Sequence, residues 1–352
     1  MTPPEPTRFL AVVDVGSQSV SVAVYPLEGE RPLRVGPRYK VTTCLVQGPQ
    51  QYPATLDALQ DCRTFLAPLE GAYEVVVVGT EATRQAQRTE EGRRFLAQVQ
   101  GIFRCPVFVV TGEQEALLCA LGGVLLRTPT ASGVSGDLGG GSLDLAHLKN
   151  GEVQSAWSVP LGVLTFLSQG YQDIDRALKT LHTHLAEVPW LSGPRRVPVG
   201  GDFYALGGTW RTVGRWLQAV ATTRPATEGL AAFQDTPYGQ RLRVRWALEQ
   251  LDVLARTPPE ALEHHTVKKV RKRAESLPLA ASLLKVLLEV HASEGLVIEA
   301  GGLREGVWAA VTGYSLIPQP EGGLRVTPPS SSSAQARSET LRRLGLAATN
   351  QG

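Results

Sequence analysis

The hydrophobic pattern of the chain contains two hairpins of the same kind. Residues 9–15 are apolar except for Asp14, serine and valine alternate at the start of 19–25, and Gly16 and Ser17 lie at the turn between them, which predicts a pair of antiparallel strands. The same order recurs over 133–147, where a run of three glycines separates the two strands. Two such hairpins in the two halves of one chain predict a duplicated fold.

Between the hairpins the pattern alternates between strands and helices. The segment 74–79 is almost continuously apolar, which is typical of a strand buried on both faces of an α/β sheet. Thr111 and Gln114 form a capping box at the start of a helix. We also predict strands at 39–45 and 107–110 and helices at 54–69 and 83–98. This alternation predicts an open, mostly parallel sheet.

The pattern after the second hairpin again predicts strands and helices. Thr209 is placed to cap an amphipathic helix, and residues 221–242 have the composition of a loop. We predict the remaining elements as a strand at 153–158, helices within 161–187, a short strand at 197–199, helices within 243–290, a strand at 296–299 and a closing helix at about 305–316.

These elements divide the chain into one domain at 1–124 and a second at 125–320, with the closing helix packing back on the first. Residues 321–352 hold Pro328, Pro329 and a run of serines. This composition is typical of a segment without a packed core. We therefore predict a flexible tail after residue 320.

The composition is that of an ordinary globular protein, with 43% hydrophobic and 19% charged residues among 352. A formal net charge of +2 supplies no basic field for nucleic acid, and we expect no such partner. The four cysteines form no CxxC pair, which argues against a zinc site and a disulfide framework. The first residues lack a signal peptide, and no apolar run approaches the ~20 residues of a membrane helix. We expect a soluble cytoplasmic protein.

The turns of the two hairpins carry the residues of a phosphate site. Glycines 139–141 have no Cβ, so the backbone can turn sharply and present N–H groups to an anion. Asp14 and Asp137 end the first strand of each hairpin, where a carboxylate can hold a divalent cation or a water. The turn at 207–209 offers further N–H groups at a helix N-terminus. A glycine-rich hairpin turn without a ligand is the alternative interpretation of either segment alone.

Taken together, the motifs resemble those of the exopolyphosphatase/guanosine pentaphosphatase family. The resemblance rests on the segments 14–17, 79–84, 112–116, 137–142, 158–162, 207–211 and 302–306. These segments follow the family's order, so the set is far more specific than any one motif. The resemblance implies an α/β fold of two actin-like, ribonuclease H-like domains facing across an interdomain cleft. No His-Asp signature of the metal phosphohydrolase domain of longer members is present, which implies the short two-domain form.

The resemblance also implies roles for particular residues. Glu115 falls on the catalytic carboxylate, where it would deprotonate the attacking water, with Glu113 as the fallback and helix-dipole complementation as the alternative for both. Arg84 falls on a ligand of the phosphate or transition state, with a surface helix position as the alternative. The predicted phosphate-binding residues are Gly16, Ser17, Gly139, Gly140, Gly141, Ser142, Gly207, Gly208 and Thr209. The residues predicted at a Mg²⁺ or Mn²⁺ ion are Asp14, Asp137 and Asp144.

Four positions depart from the family pattern. Gln18 and Arg88 stand where the family usually has Asn, and Ser21 and Thr165 stand where it has Arg. The absence of these two arginines is expected to weaken the binding of a long polyanion. The basic run at 268–273 is a candidate replacement along a channel, with a solvated helix face as its alternative.

Three hypotheses about function follow. The first is a metal-dependent exopolyphosphatase that removes terminal phosphate from inorganic polyphosphate, with Glu115 as general base. The second is hydrolysis of the 5′ γ-phosphate of guanosine pentaphosphate by the same residues. The third, favoured by Ser21, Arg88 and Thr165, is a non-catalytic member that binds (p)ppGpp or polyphosphate. The sequence leaves the oligomeric state open, with a homodimer as one expectation.

Overall fold

The chain forms two compact units. The computed structural model describes residues 8–29, 32, 35–69, 73–168, 174–188, 190–191, 200–223, 232–236, 239–320 and 322–347. The first unit consists of Met1–Gly122 and Leu303–Gly352, and the second consists of Gly123–Gly302. The structure thus divides the chain after residue 122 rather than 124, and it groups everything from Leu303 with the first unit.

The sheet of the first unit has the strand order β3-β2-β1-β4-β5. Its strands are Phe9–Val15 (β1), Ser19–Pro26 (β2), Val35–Thr42 (β3), Tyr73–Gly79 (β4) and Val107–Val109 (β5). β1 and β2 form the predicted antiparallel hairpin, in which Asp14 lies opposite Ser21. β1, β4 and β5 run parallel. The predicted strand at 39–45 ends early at Thr42, since Cys44 has a φ of 52° in the left-handed region.

The helices of residues 8–122 are Tyr52–Leu66 (α1), Glu81–Ala86 (α2), Glu90–Phe103 (α3) and Gly112–Ala120 (α4). The prediction of a single helix over 83–98 is wrong, because the chain breaks between α2 and α3. Thr89 caps α3 by accepting a hydrogen bond from the Gly92 N–H at 3.0 Å. Gly92 approaches so closely that an added Cβ would lie 2.1 Å from the Ala86 carbonyl oxygen. Shorter turns are Leu45–Gln47, Pro49–Gln51, Ala67–Leu69 and the π-helical Leu121–Leu125.

The strands of the second unit follow the order β10-β11-β12-β9-β6-β7-β8. They are Gly133–Leu138 (β6), Leu143–Lys149 (β7), Glu152–Val159 (β8), Asp202–Leu206 (β9), Phe233–Thr236 (β10), Gly239–Arg243 (β11) and Gly295–Ile298 (β12). The predicted hairpin is confirmed as β6 and β7, and β9 runs parallel to β6 and β12. The loop predicted at 221–242 is wrong in part, because β10 and β11 pair within it. The strand predicted at 197–199 lies outside the described residues.

The second unit also contains several helices. They are Val163–Ser168 (α5), Ile174–Leu185 (α6), Gly207–Thr223 (α7), Val244–Arg256 (α8), Pro259–Glu263 (α9), Lys268–Arg271 (α10) and Leu277–His291 (α11), with a 3₁₀ turn at Ala274–Ser276. α11 lies in the core, and its Ala280 carbonyl accepts a hydrogen bond from the Trp210 indole N–H at 3.0 Å. Thr209 does not cap α7 from outside as predicted, because the helix already begins at Gly207.

The closing segment of the chain is an ordered part of the first unit. It contains the helix Leu303–Val311 (α12), the antiparallel strands Ser315–Pro318 (β13) and Leu324–Thr327 (β14), a 3₁₀ turn at Pro329–Ser331 and the helix Ala334–Arg343 (α13). The Thr340 hydroxyl accepts a hydrogen bond from the Leu316 N–H at 2.8 Å. Leu344 is 0% exposed. The prediction of a flexible tail is therefore wrong, because a few buried side chains anchor a segment whose composition is otherwise polar.

Two further expectations bear on the environment of the chain. All four cysteines are free thiols, as their spacing predicted. Among the described residues, no helix combines the length and the apolar character that a membrane crossing requires.

Candidate active site

Glu115 occupies the first turn of α4, directly after the β5 strand. The capping box that fixes this turn is present as predicted. The Gln114 N–H donates to the Thr111 hydroxyl at 3.2 Å, and the Thr111 N–H donates to the Gln114 side chain at 2.8 Å. Glu115 is 9% exposed, whereas Glu113, two residues earlier, is exposed. The local fold therefore selects one of two neighbouring carboxylates for a protected position.

Arg84 holds the Glu115 carboxylate in place. Its Nη1 lies 2.8 Å from Glu115 Oε2 and donates to the Val110 carbonyl at 2.8 Å, while its Nε donates to Glu81 Oε2 at 2.9 Å. Burial alone lowers the pKa of Arg84, but the attraction of Glu115 and Glu81 outweighs burial and raises the pKa above its ordinary value. Arg84 is thus a permanent cation that bridges α2 and α4.

The first hairpin carries an ion pair that the sequence analysis did not predict. Arg304, from α12, lies with its Nη1 3.2 Å from Asp14 Oδ2 and also donates to the Ser21 hydroxyl. That hydroxyl in turn donates to Asp14 at 3.4 Å. Ser21 stands where the family commonly has an arginine. The guanidinium of Arg304 therefore supplies a positive charge beside a position at which this chain has a neutral side chain. Arg304 lies in the segment 302–306, which is one of the segments that carry the family resemblance. That resemblance was the only sequence signal that pointed to Arg304.

The second hairpin brings several predicted residues together within one unit. Asp137 is the penultimate residue of β6, and it lies in register with Leu206 of the neighbouring strand β9. Gly207 follows with a φ of 85°, and a Cβ added there would lie 2.4 Å from Asp137 Oδ1. The N-terminus of α7 therefore begins directly against the Asp137 carboxylate, and a glycine is required at the junction.

The first residues of α5 hold the glycine turn at 139–141 in place. The carbonyl oxygens of Gly139 and Gly140 accept hydrogen bonds from the N–H groups of Val163 and Leu164, each at 3.0 Å. Gly162 packs so tightly that an added Cβ would lie 2.1 Å from the Gly140 carbonyl carbon. Because the carbonyl groups of Gly139 and Gly140 accept hydrogen bonds from α5, the turn has a fixed conformation.

Asp144 supports this turn through serine hydroxyl groups. It is 3% exposed, and its two oxygens accept hydrogen bonds from Ser142 at 3.0 Å and Ser158 at 2.5 Å. These contacts connect β7 and β8 to the end of the glycine turn. They make Asp144 a structural support here, and its predicted place at a metal ion stays a prediction.

A cluster of arginines lies at the N-terminus of α7. Arg273 donates from Nη1 to the Thr209 hydroxyl at 2.7 Å. Burial lowers the pKa of Arg273, and repulsion from Arg211 and Arg215 on α7 lowers it further. Within the described residues no carboxylate forms an ion pair with Arg273. The sequence analysis noted Arg273 only as the end of the basic run 268–273, so its role at this turn was missed.

The predicted metal ligands do not form a cluster within either unit. The described residues contain no group of three His, Cys, Asp or Glu side chains suited to hold an ion. Asp14 belongs to the first unit and Asp137 to the second, and their juxtaposition stays a prediction. The donor sets of the individual units therefore do not fit a metal site by themselves.

Comparisons with known proteins agree with the motifs. The model of the Ppx/GppA phosphatase family matches residues 28–314. A guanosine-5′-triphosphate,3′-diphosphate pyrophosphatase of Vibrio cholerae is 24% identical over 310 residues, which are 84% of this chain and 58% of the relative. The chain thus spans little more than half the length of that relative.

Solved structures of the family share the fold. The Aquifex aeolicus member superposes with a TM-score of 0.64 at 21% identity, covering 86% of this chain and 96% of its own. An exopolyphosphatase from Cytophaga hutchinsonii superposes with a TM-score of 0.71 at 17% identity, covering 87% of this chain and 98% of its own. The chain therefore has the actin-like α/β fold predicted from its sequence, and it belongs to the Ppx/GppA phosphatase family.

Proposed function

We propose that this protein hydrolyses the terminal phosphoanhydride bond of a linear polyphosphate, with Glu115 as general base. The observation that carries the proposal is the Arg84–Glu115 pair, in which a guanidinium at 2.8 Å orients a 9% exposed carboxylate in the first turn of a helix. A carboxylate held in this way can accept a proton without first reorganising its surroundings.

The proposed step needs a water, a terminal phosphorus and a proton acceptor. Glu115 removes a proton from the water as its oxygen attacks the terminal phosphorus in line with the bridging oxygen. The bond between the phosphorus and the bridging oxygen breaks, and that oxygen stays on the shortened chain. Orthophosphate leaves with the new oxygen, and the proton on Glu115 is returned to solvent.

The phosphates are held by backbone and guanidinium groups. The N-terminus of α7 favours an anion through its oriented N–H groups. Arg273 adds a partly buried cation at Thr209, within the same turn. The glycine turn at 139–141, braced by α5, supplies a second anion-binding concavity.

A Mg²⁺ or Mn²⁺ ion would neutralise charge on the phosphate oxygens when bound. The proposed roles of Glu115, Arg84 and Arg273 do not depend on the ion's position. Phosphate release should stop in excess chelator and return with added Mg²⁺, and full activity in chelator would contradict the metal requirement.

Guanosine pentaphosphate is the second candidate substrate, since the same residues would remove its 5′ γ-phosphate. The two candidates are separated by giving the purified protein polyphosphate or guanosine pentaphosphate and measuring released orthophosphate. Tight binding of either compound with no release from both would favour the non-catalytic hypothesis instead. Failure of both binding and release would overturn the proposed function.

A further inference from the structure

The side chain of Gln114 makes two hydrogen bonds, one as an acceptor and one as a donor. Its Oε1 accepts from the Thr111 N–H at 2.8 Å within the capping box, and its Nε2 donates to the Arg343 carbonyl at 3.0 Å. The residue directly before the proposed base Glu115 is therefore bonded to the last residue of α13. The match to the family model ends at residue 314, before α13 begins, so the family motifs do not account for this contact.

The end of α13 leaves the Arg343 carbonyl available for this contact. Gly345, with a φ of 69°, donates its N–H to the Arg342 carbonyl at 3.1 Å, and the Leu346 N–H donates to the Leu341 carbonyl at 2.8 Å. These two bonds are those of a Schellman motif, which engages the carbonyls of Leu341 and Arg342 but not that of Arg343. The glutamine amide thus satisfies one of the carbonyl groups that a helix end leaves unpaired.

The two segments also pack closely around the hydrogen bond. A Cβ added to Gly345 would lie 2.5 Å from Gln114 Oε1 and 3.0 Å from Gln114 Cδ. Leu344 and Leu346, on either side of Gly345, are 0% and 7% exposed. The amide of Gln114 is therefore packed against the backbone that follows α13 as well as hydrogen-bonded to the helix.

The contact with α13 determines which end of the Gln114 amide faces the first turn of α4. In the reversed orientation the NH₂ group would face the Thr111 N–H, and two donors would oppose each other. The Arg343 carbonyl disfavours that orientation, because it needs a donor. The capping box then holds the turn from which the Glu115 N–H donates to the Thr111 carbonyl at 2.9 Å. The position of Glu115 beside Arg84 therefore depends on a helix that is distant in sequence.

We propose that Gln114 is a positioning residue through which α13 holds Glu115 at the place from which it accepts a proton. This inference rests on the proposed function, in which Glu115 is the general base. A displacement of a catalytic group by about 1 Å can lower a rate by about 100-fold. Because Gln114 acts through Glu115 and not on the substrate, the docking of α13 should affect kcat and leave KM unchanged.

The first test disturbs the end of α13 without altering α4. Gly345→Ala places a methyl group against the Gln114 amide, and Gly322→Ala is the matched control. Both glycines have a positive φ, 69° and 92°, so both variants carry backbone strain, but nothing lies within 4 Å of a Cβ added at Gly322. Gly345→Ala should lower kcat for phosphate release by about 10- to 100-fold with KM changed by less than about threefold, and Gly322→Ala should leave both within about twofold. Equal values of kcat for the two variants, or a change in KM alone, would overturn the proposal.

The second test separates the capping box from the contact with α13. In Gln114→Glu the carboxylate can still accept the Thr111 N–H, as in the usual capping box, but it cannot donate to the Arg343 carbonyl. The variant should lower kcat about as much as Gly345→Ala does. The double variant should be no slower than the slower single variant, because both changes break the same contact. An unaltered kcat in Gln114→Glu, or effects that multiply in the double variant, would contradict the coupling.

Hydrogen–deuterium exchange separates this inference from the hydrolase proposal, because it does not need turnover. Backbone amides at 111–118 should exchange faster in Gly345→Ala than in Gly322→Ala or the wild type, since the first turn of α4 is then held by its cap alone. Faster exchange in a protein that releases no phosphate would support the coupling and overturn the proposed hydrolysis. Unchanged kcat of Gly345→Ala in an active enzyme, whether or not exchange changes, would overturn the positioning role of Gln114.

Discussion

Glu113 and Glu115 lie two residues apart on α4, but Glu113 is exposed and Glu115 is buried. Successive residues of a helix differ by about 100°, so Glu113 and Glu115 point roughly 200° apart. Arg84 then orients only Glu115. The choice between the two carboxylates therefore depends on the helical geometry and on a partner from another helix.

Glu115→Gln should lower the rate of phosphate release by a factor of about 10² to 10⁴, the usual contribution of a general base. The amide keeps the shape of the side chain but cannot accept the proton from water. Substrate affinity should change by only a few-fold, measured by direct binding beside steady-state turnover.

Glu113→Gln is the matched control, since Glu113 is exposed on the same helical turn. It should retain most of the wild-type rate. The assignment of the base is wrong if Glu113→Gln is inactive while Glu115→Gln keeps more than about a third of the activity.

His291 is a second residue whose environment sets its chemistry. It is 1% exposed, and its Nδ1 lies 2.7 Å from the Ser293 hydroxyl. Burial, and to a lesser degree repulsion from His147, lowers the pKa of His291 from 6.5 to about 4. The folded protein thus keeps this imidazole neutral where an unfolded chain protonates it.

This pKa shift predicts acid destabilisation in a defined window. Between about pH 6.5 and pH 4 the unfolded chain binds more protons, so the free energy of unfolding should fall as the pH is lowered through this range. The contribution of His291 is present in full above about pH 6.5 and is of the order of 3 kcal/mol. Urea denaturation of wild type and His291→Asn at several pH values measures it. An unchanged slope between pH 6.5 and 4 in the variant would contradict this role.

At the scale of elements, the junction between β9 and α7 depends on one glycine. Gly207 has a φ of 85°, and a Cβ there would lie 2.4 Å from Asp137 Oδ1 and 2.8 Å from the Leu138 carbonyl oxygen. Both the backbone conformation and the contacts disfavour any side chain. The helix N-terminus thus reaches the carboxylate only because the residue is glycine.

Gly207→Ala should destabilise the protein by about 1–3 kcal/mol and weaken binding of pyrophosphate. Gly101→Ala is the control, because Gly101 lies within α3 and nothing lies within 4 Å of an added Cβ there. It should be neutral or stabilising by up to about 1 kcal/mol. Urea denaturation followed by circular dichroism distinguishes the two, and equal stability of both variants would contradict the steric argument.

At the scale of the whole molecule, the first unit is built from both ends of the chain. α12 supplies Arg304 to Asp14, and its Trp308 indole N–H donates to the Pro26 carbonyl at 2.7 Å. α13 continues the same unit, where its Arg343 carbonyl accepts a hydrogen bond from Gln114 at 3.0 Å. The hairpin and the helix that carry the candidate site are therefore both supported by the closing segment.

Leu344→Ala should destabilise the protein by about 2–5 kcal/mol, the usual range for a buried leucine, because Leu344 is 0% exposed. Arg342→Ala is the control: the Arg342 side chain is 62% exposed, and its loss should change stability by no more than about 0.5 kcal/mol. Thermal unfolding and limited proteolysis at residues 322–347 measure both. No difference between the variants would restore the prediction of a flexible tail.

The sequence by itself determined the local elements and the family. The hairpins at β1–β2 and β6–β7, the buried strand β4 and the capping box of α4 follow from short-range patterns, in which neighbouring residues carry the whole signal. Glu115 was identified through the family resemblance, and its predicted position in a first helical turn required no distant contact. Local patterns also marked the glycine turns, because a turn's backbone requirement is met by its own residues.

Only the tertiary structure decided which distant residues complete the site. Arg304 is 290 positions from Asp14 and Arg273 is 64 from Thr209, and no periodicity relates positions so far apart. The order of the closing segment also depends on distant contacts. Its composition is polar, but a few buried side chains, Thr340 and Leu344 among them, fix it to the first unit. The cavity lined by Arg211, Phe233 and Glu299 likewise exists only where α7 meets β10, β11 and β12, because a cavity is a property of the packed chain.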